Sequence, residues 1–216
     1  MICIITLPMD SLSPSRNLVP IHKIPSPILP PKLPLPKILP PKVVQPITPK
    51  VVTTPQGSLL MYQARALDDS LASELYQRLL AMAPWKRTDE IRSRRTGFTR
   101  KARKLAVGEP LFMELIPYVE SVLGVLDRPY IILGLYLNWY ENSQSYTPSH
   151  NHDTDQLVIS LGATRVLRVG SRDFSMEHGD AVLFGTQPHS VPRGGPPSLR
   201  FPEGRISLAT FMVPLQ

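Results

Sequence analysis

Residues 149–165 read SHNHDTDQLVISLGATR. His150, His152, Asp153 and Asp155 fall within six positions, and an apolar run follows at once. That run has the length and composition of a buried strand. A polar cluster at such a strand's entrance suits a metal site in a β-sandwich. The economical solution takes two ligands from one strand end, on one face, and a third from a later strand. The later histidine is His189, in HGDAVLFGTQPHSVPR at 178–193.

The residues around the cluster set the fold class. From Pro129 onward, short apolar or alternating runs at 130–140, 156–163, 164–171, 180–185 and 205–213 are separated by Gly, Pro, Asn or Asp, the pattern of an all-β half. Before it stand two amphipathic helices. DDSLASELYQRLLAMAP opens on an Asp or Ser cap and ends at Pro84, and EPLFMELIPYVESVLGVL (109–126) is expected to kink or split at Pro117. GSLLMYQARAL (57–67) reads as a further strand. Two helices followed by strands close most simply as a sandwich or jelly roll with the helices covering one sheet. The class is therefore α+β, mainly β.

Residues 1–57 are different in kind. Fourteen of the chain's 25 prolines lie there, and ILPPK occurs twice. Proline fixes φ and removes donors, so this is a disordered, extended, proline-rich arm. Its PxxP spacings would suit an SH3- or WW-type partner, and a stiff basic spacer is the plainer reading. The arm carries six basic residues against Asp10 alone, so residues 58–216 hold only +2 of the chain's net +7. With one cysteine, Cys3, the chain cannot form an internal disulfide or a thiolate metal site. Neither a signal peptide nor a membrane-length apolar run is visible. The expectation is a soluble, monomeric protein of the cytoplasm or nucleus.

Two histidines and one carboxylate on a face would leave metal positions open for a cosubstrate and dioxygen, the facial triad of non-haem Fe(II) oxygenases. The flanking residues sharpen this. Asn138 and Tyr140 share a strand face in LYLNWYENSQSYTPSH, SLGATR follows the cluster, a Gly–Asp turn precedes a strand, HSVP contains His189, and RISLATF opens on Arg205. In this order, these blocks resemble the AlkB family of Fe(II)/2-oxoglutarate dioxygenases over residues 58–216. The resemblance implies a double-stranded β-helix, with helices and a nucleotide-recognition lid at 58–128 and the jelly-roll core at 129–216. It implies Fe(II), 2-oxoglutarate and O2. Arg205 would pair with the distal carboxylate of 2-oxoglutarate, Asn138 and Tyr140 would hydrogen-bond it, and His189 would be the distal iron ligand.

The chain departs from the family's H-x-D. Asn151 stands two before Asp153, with His150 and His152 on either side. Either His150 and Asp153 bind across a one-residue bulge, which we favour, or His150 and His152 bind with His189. Met212 stands where the family has another arginine near the end of its last strand. The segment 86–104 holds nine basic residues against two acidic ones, together with Phe98. Such a loop neutralises phosphates and stacks a base. Arg94, Arg95, Phe98 and Asp155 are the candidate substrate contacts. The expected activity is oxidative demethylation of N-alkylated bases in single-stranded or flipped-out RNA or DNA. The rivals are the same chemistry on a protein or small molecule, and an inactive nucleic-acid-binding module that has lost its iron.

Overall fold

The computed structural model describes residues 50–51, 59–82, 85–87, 100–124, 129–195 and 197–215, and the elements below are those found among them. They run β1 (Lys50–Val51), β2 (Leu60–Gln63), α1 (Asp69–Leu80), β3 (Lys86–Arg87), β4 (Lys101–Leu105), α2 (Pro110–Leu123), β5 (Tyr130–Tyr140) and β6 (Thr147–His150). After these come β7 (Asp155–Gly162), β8 (Arg165–Val169), β9 (Arg172–Met176), β10 (Ala181–Phe184), β11 (His189–Val191) and β12 (Arg205–Pro214). The proline-rich arm up to residue 49 and the loop residues Arg94, Arg95 and Phe98 lie outside the described residues.

Eight strands form one sheet in the order β1-β2-β10-β7-β12-β5-β4-β3, and four form a second, β6-β11-β8-β9. Alternation along the strands sorts side chains into two layers. Leu157, Ile159 and Leu161 of β7 and Ile206 and Leu208 of β12 point one way, into a core with Leu75, Tyr76 and Leu79 of α1 and Phe112, Leu115 and Val119 of α2. Val158, Val182, Phe184 and Ala209 point the other way and pack with Leu167, Val169, Met176 and Val191 of the small sheet. This is the jelly roll with helices on one sheet. Among the described residues, no helix is long and apolar enough to cross a membrane.

Local chemistry sets the helix ends. Asp68 caps α1, its Oδ1 accepting from the Leu71 N–H at 2.8 Å, a bond worth about 1 kcal/mol. Pro110 opens α2, where its missing donor costs nothing. The expected break at Pro117 does not occur, because α2 is one helix from Pro110 to Leu123. Pro117 and Met113, whose carbonyl loses its donor, both lie on the exposed side of the helix. The basic segment is also not all loop. Residues 101–105 form β4, in register with β5 from Leu105↔Leu135 to Lys101↔Trp139. Strands β6, β9 and β11 are too short or too polar to stand out by pattern, and pairing alone makes them strands.

The end of the large sheet next to Arg205 is tied tightly. Tyr76 donates from its hydroxyl to the Gly204 carbonyl at 2.8 Å. The Gly162 N–H donates to His178 Nδ1 at 2.8 Å, so the ring's proton sits on Nε2, 3.1 Å from Ser73 Oγ on α1. Gly162 has φ +88°, and a Cβ there would strike the Gly204 carbonyl oxygen and the Tyr76 ring. Asp180, the aspartate of the Gly–Asp turn, is buried and accepts from the Tyr62 hydroxyl, the Arg65 N–H and the Glu177 N–H.

Two outcomes follow for stability. Gly162→Ala should cost at least about 2 kcal/mol in urea unfolding. Gly170→Ala, also at positive φ but with open space around it, should cost only about 1 kcal/mol. Burial, ahead of the neighbouring charges, pushes the His178 imidazole below its ordinary value near 6.5. The folded state therefore resists a proton that the unfolded chain accepts. Stability is lost as pH falls below about 6.5, and His178→Asn should flatten that dependence between pH 7.5 and 5.5.

Candidate metal centre

The two sheets meet at an open end, where β6 finishes on His150 and β11 begins on His189. These residues are direct cross-strand partners, and their ring centroids stand 4.2 Å apart. His152, two residues on in the following loop, turns back to the pair. Its ring lies 5.0 Å from His150 and 5.5 Å from His189. One ligand atom from each of the three imidazoles lies within 4.8 Å of the others, and this is the cluster among the described residues that could hold a metal ion. Asp153 is exposed and is not part of it. Of the two ligand sets considered, the three-histidine set is the one whose atoms converge. No bulge brings the Asp153 carboxylate in, because the chain has already left β6 at Asn151.

The protonation states suit ligation. His150 Nδ1 is 2.9 Å from the Pro148 carbonyl oxygen. A carbonyl only accepts, so Nδ1 carries the proton, which leaves Nε2 as the atom that would ligate a metal. His189 is buried against Phe184, at 4.9 Å between centroids. Burial first, and then the neighbouring His150 and His152, push its imidazole down to about 3. The ring is therefore neutral at physiological pH, and its buried Nδ1 has no hydrogen-bond partner. Imidazoles of this kind suit Fe(II), along with other divalent first-row metals.

The cluster opens onto a cavity of about 910 Å³ between the sheets. Arg205 forms its floor. This arginine is 1% exposed, and its Nε donates to Ser160 Oγ at 2.7 Å. Its Nη1 and Nη2 are buried without any partner. The guanidinium lies 5.4 Å from the Tyr140 ring centre, and burial pushes its pKa down to about 10. The fork therefore still carries its charge at neutral pH. Tyr140 shares a hydrogen bond of 2.8 Å with Thr147 Oγ1, to which Arg100 also donates. Asn138 reaches Ser207 Oγ at 3.3 Å through Nδ2, while its buried Oδ1 has no partner. A dicarboxylate such as 2-oxoglutarate fits this floor: a bidentate fork for one planar carboxylate, with an amide and hydroxyls alongside.

Asn138, Tyr140 and Arg205 thus share one cavity with His150, His152 and His189. Asp155 starts β7 beside Gly185 and is not part of the cavity lining. Met212 lies past a register shift in β12, fully buried in the helix-side core. The cavity lining gains Arg100, Thr147, Gln156 and Ser207, and Ser160 holds Arg205 from behind; sequence reasoning missed all five. The signal was there for Ser160 and Ser207, which alternate in step with Arg205 along β7 and β12. Arg165 of SLGATR is a brace. Its guanidinium donates to the carbonyls of Asn142, Ser145 and Pro192, joining the β5–β6 loop to the chain after β11.

No protein-family model matches the chain, and no curated protein matches it in sequence. Its similarities are to solved structures. The non-haem α-ketoglutarate-dependent epimerase SnoN from nogalamycin biosynthesis is 16% identical, over 71% of this chain and 78% of that one, with a TM-score of 0.53. A prolyl hydroxylase from Trichoplax adhaerens, solved with a peptide fragment of a hypoxia-inducible factor, is 12% identical over 71% and 83%, with a TM-score of 0.52. A Burkholderia pseudomallei oxidoreductase of the 2OG-Fe(II) oxygenase family is 16% identical over 74% and 85%, with a TM-score of 0.48. At these identities the likeness is one of fold: the chain has the double-stranded β-helix seen in 2-oxoglutarate-dependent, non-haem iron oxygenases.

Proposed function

We propose that the protein is an Fe(II)/2-oxoglutarate-dependent dioxygenase that removes N-alkyl groups from bases of single-stranded or flipped-out nucleic acid. The observation that carries the dioxygenase part is one cavity holding three converging imidazoles and, at its floor, a buried guanidinium with two unpaired nitrogens. An unpaired buried cation is costly unless a ligand supplies the anion. When bound, Fe(II) with 2-oxoglutarate and O2 supplies an oxidising equivalent that hydroxylates a C–H bond while the cosubstrate becomes succinate and CO2. The chain's own residues do the rest. His150, His152 and His189 hold the metal, Arg205 takes the distal carboxylate, and Asn138 and Tyr140 orient the cosubstrate. Val158, Leu167 and Val191 give the cavity an apolar side. A hydroxylated N-alkyl group is a hemiaminal, which collapses to an aldehyde and the free base.

The nucleic-acid part rests on charge. Nine of the basic residues lie between 86 and 104, and the described end of that segment brings Arg100, Arg103 and Lys104 to the cavity wall. The same chemistry on a protein side chain or small molecule would not call for such a wall. The inactive-module reading is disfavoured by the convergence of the three imidazoles.

Anaerobic titration with Fe(II) and then 2-oxoglutarate tests the chemistry: a weak metal-to-ligand charge-transfer band should appear, and its absence in the wild type removes the dioxygenase reading. Arg205→Gln should retain the metal and weaken 2-oxoglutarate binding by about 30-fold or more. Asp153→Ala should keep Fe(II) affinity within about twofold, whereas His152→Ala should lower it by about 10-fold or more. The reverse ranking would restore Asp153 as the ligand.

A further inference from the structure

The cavity changes chemistry between its floor and its mouth. Side chains of the large sheet that face the cavity form rows across β12, β5 and β4. Arg205 and Tyr140 are partners at the floor, Ser207, Asn138 and Ala102 make the next row, and Ala209, Tyr136 and Lys104 the one after. Phe211, opposite Gly134, ends the series next to Leu133, which is 47% exposed. The small residues Ala102, Gly134 and Ala209 leave width in front of the rings. Tyr136 and Phe211 meet edge to face with centroids 5.5 Å apart, and Phe211 meets His152 edge-on at 4.8 Å. An aromatic wall therefore runs from the cavity mouth to the metal-binding imidazoles. Both of its rings are half-buried, and Lys104 stands exposed beside them.

We infer that this wall is the substrate subsite, in which Tyr136 and Phe211 pack a planar heteroaromatic base and Lys104 meets a phosphate of the same strand. The inference rests on the nucleic-acid reading and assigns it to residues within the jelly roll. The floor's cation and hydroxyls suit the dianionic cosubstrate, so the second reactant enters over the rings. A base offers a π-face to such rings whatever its sequence identity. Phe211 is also the apolar side chain in contact with His152 at the mouth, so a ring stacked there brings its substituent towards the metal ligands. A nucleotide carries its anion on the same unit as its ring, and Lys104 shares the Tyr136 row. A cation beside aromatics fits that pairing better than it fits a neutral or cationic peptide side chain.

The experiment measures binding of a fluorescent 12-nucleotide single strand to the full chain loaded anaerobically with Fe(II) and 2-oxoglutarate, across a salt series. Phe211→Ala and Tyr136→Ala should each weaken binding by about 5- to 100-fold without changing the slope of log K against log salt. Lys104→Gln should reduce that slope by about 0.7, the loss of one phosphate contact on a single strand. All three variants should keep the charge-transfer band and its 2-oxoglutarate affinity. Oligonucleotide binding within twofold of wild type in both ring variants, with the band intact, overturns the subsite. Loss of the band in the ring variants also overturns it, because the wall would then belong to the cosubstrate site. A wild type that shows the band but binds no oligonucleotide removes the nucleic-acid reading and this subsite together, leaving the dioxygenase chemistry standing.

Discussion

A guanidinium held out of water with one of its donors satisfied constrains everything around Arg205. The residue begins β12, its backbone is paired on both sides, by β5 and by β7, and its side chain is 1% exposed. Burying such a charge costs several kcal/mol unless something compensates for it. Ser160 and the face of Tyr140 contribute, and the remaining nitrogens point into a cavity. The tight packing at Gly162, Gly204 and Tyr76 holds the strand ends together on the other side, so the fork cannot relax outwards.

The second constraint is the meeting of the sheets. The His150–His189 pair exists because β6 and β11 are partners in the small sheet, and His152 joins them from the loop that leads into β7. Three neutral imidazoles leave a bound divalent cation with its full charge, where two imidazoles and a carboxylate would cancel one unit. The compensating negative charge would then have to come from the cosubstrate. On the dioxygenase reading, such a metal and Arg205 would attract the two ends of one dicarboxylate. That gives the three-histidine arrangement a physical logic of its own rather than marking it as a damaged version of the carboxylate one.

The basic run between the helices takes on a different meaning once β4 is seen. Strand alternation divides its charges. Lys101 turns away to Glu141 and the Trp139 ring, and Lys104 stays on the cavity side, in register with Tyr136. One stretch of sequence thus serves both as an edge of the sheet and as a wall of the site.

The sequence by itself determined the layers and much of the site. The 3.6-residue and two-residue periods, with the caps and turns between them, were enough for helices over a jelly roll, and the ordered blocks around Asn138, Tyr140, His189 and Arg205 named four residues that the fold brings into one cavity. Those signals are local or carried by residue type. What only the tertiary structure decided was which of His152 and Asp153 faces the other histidines, that residues 101–105 are a strand, that Pro117 leaves α2 whole, and that Met212 turns into the opposite core. Each of these depends on where a chain leaves its strand, on which neighbour supplies hydrogen bonds, or on which side meets water. Such choices are settled by pairing across long sequence separations, and no local pattern encodes them.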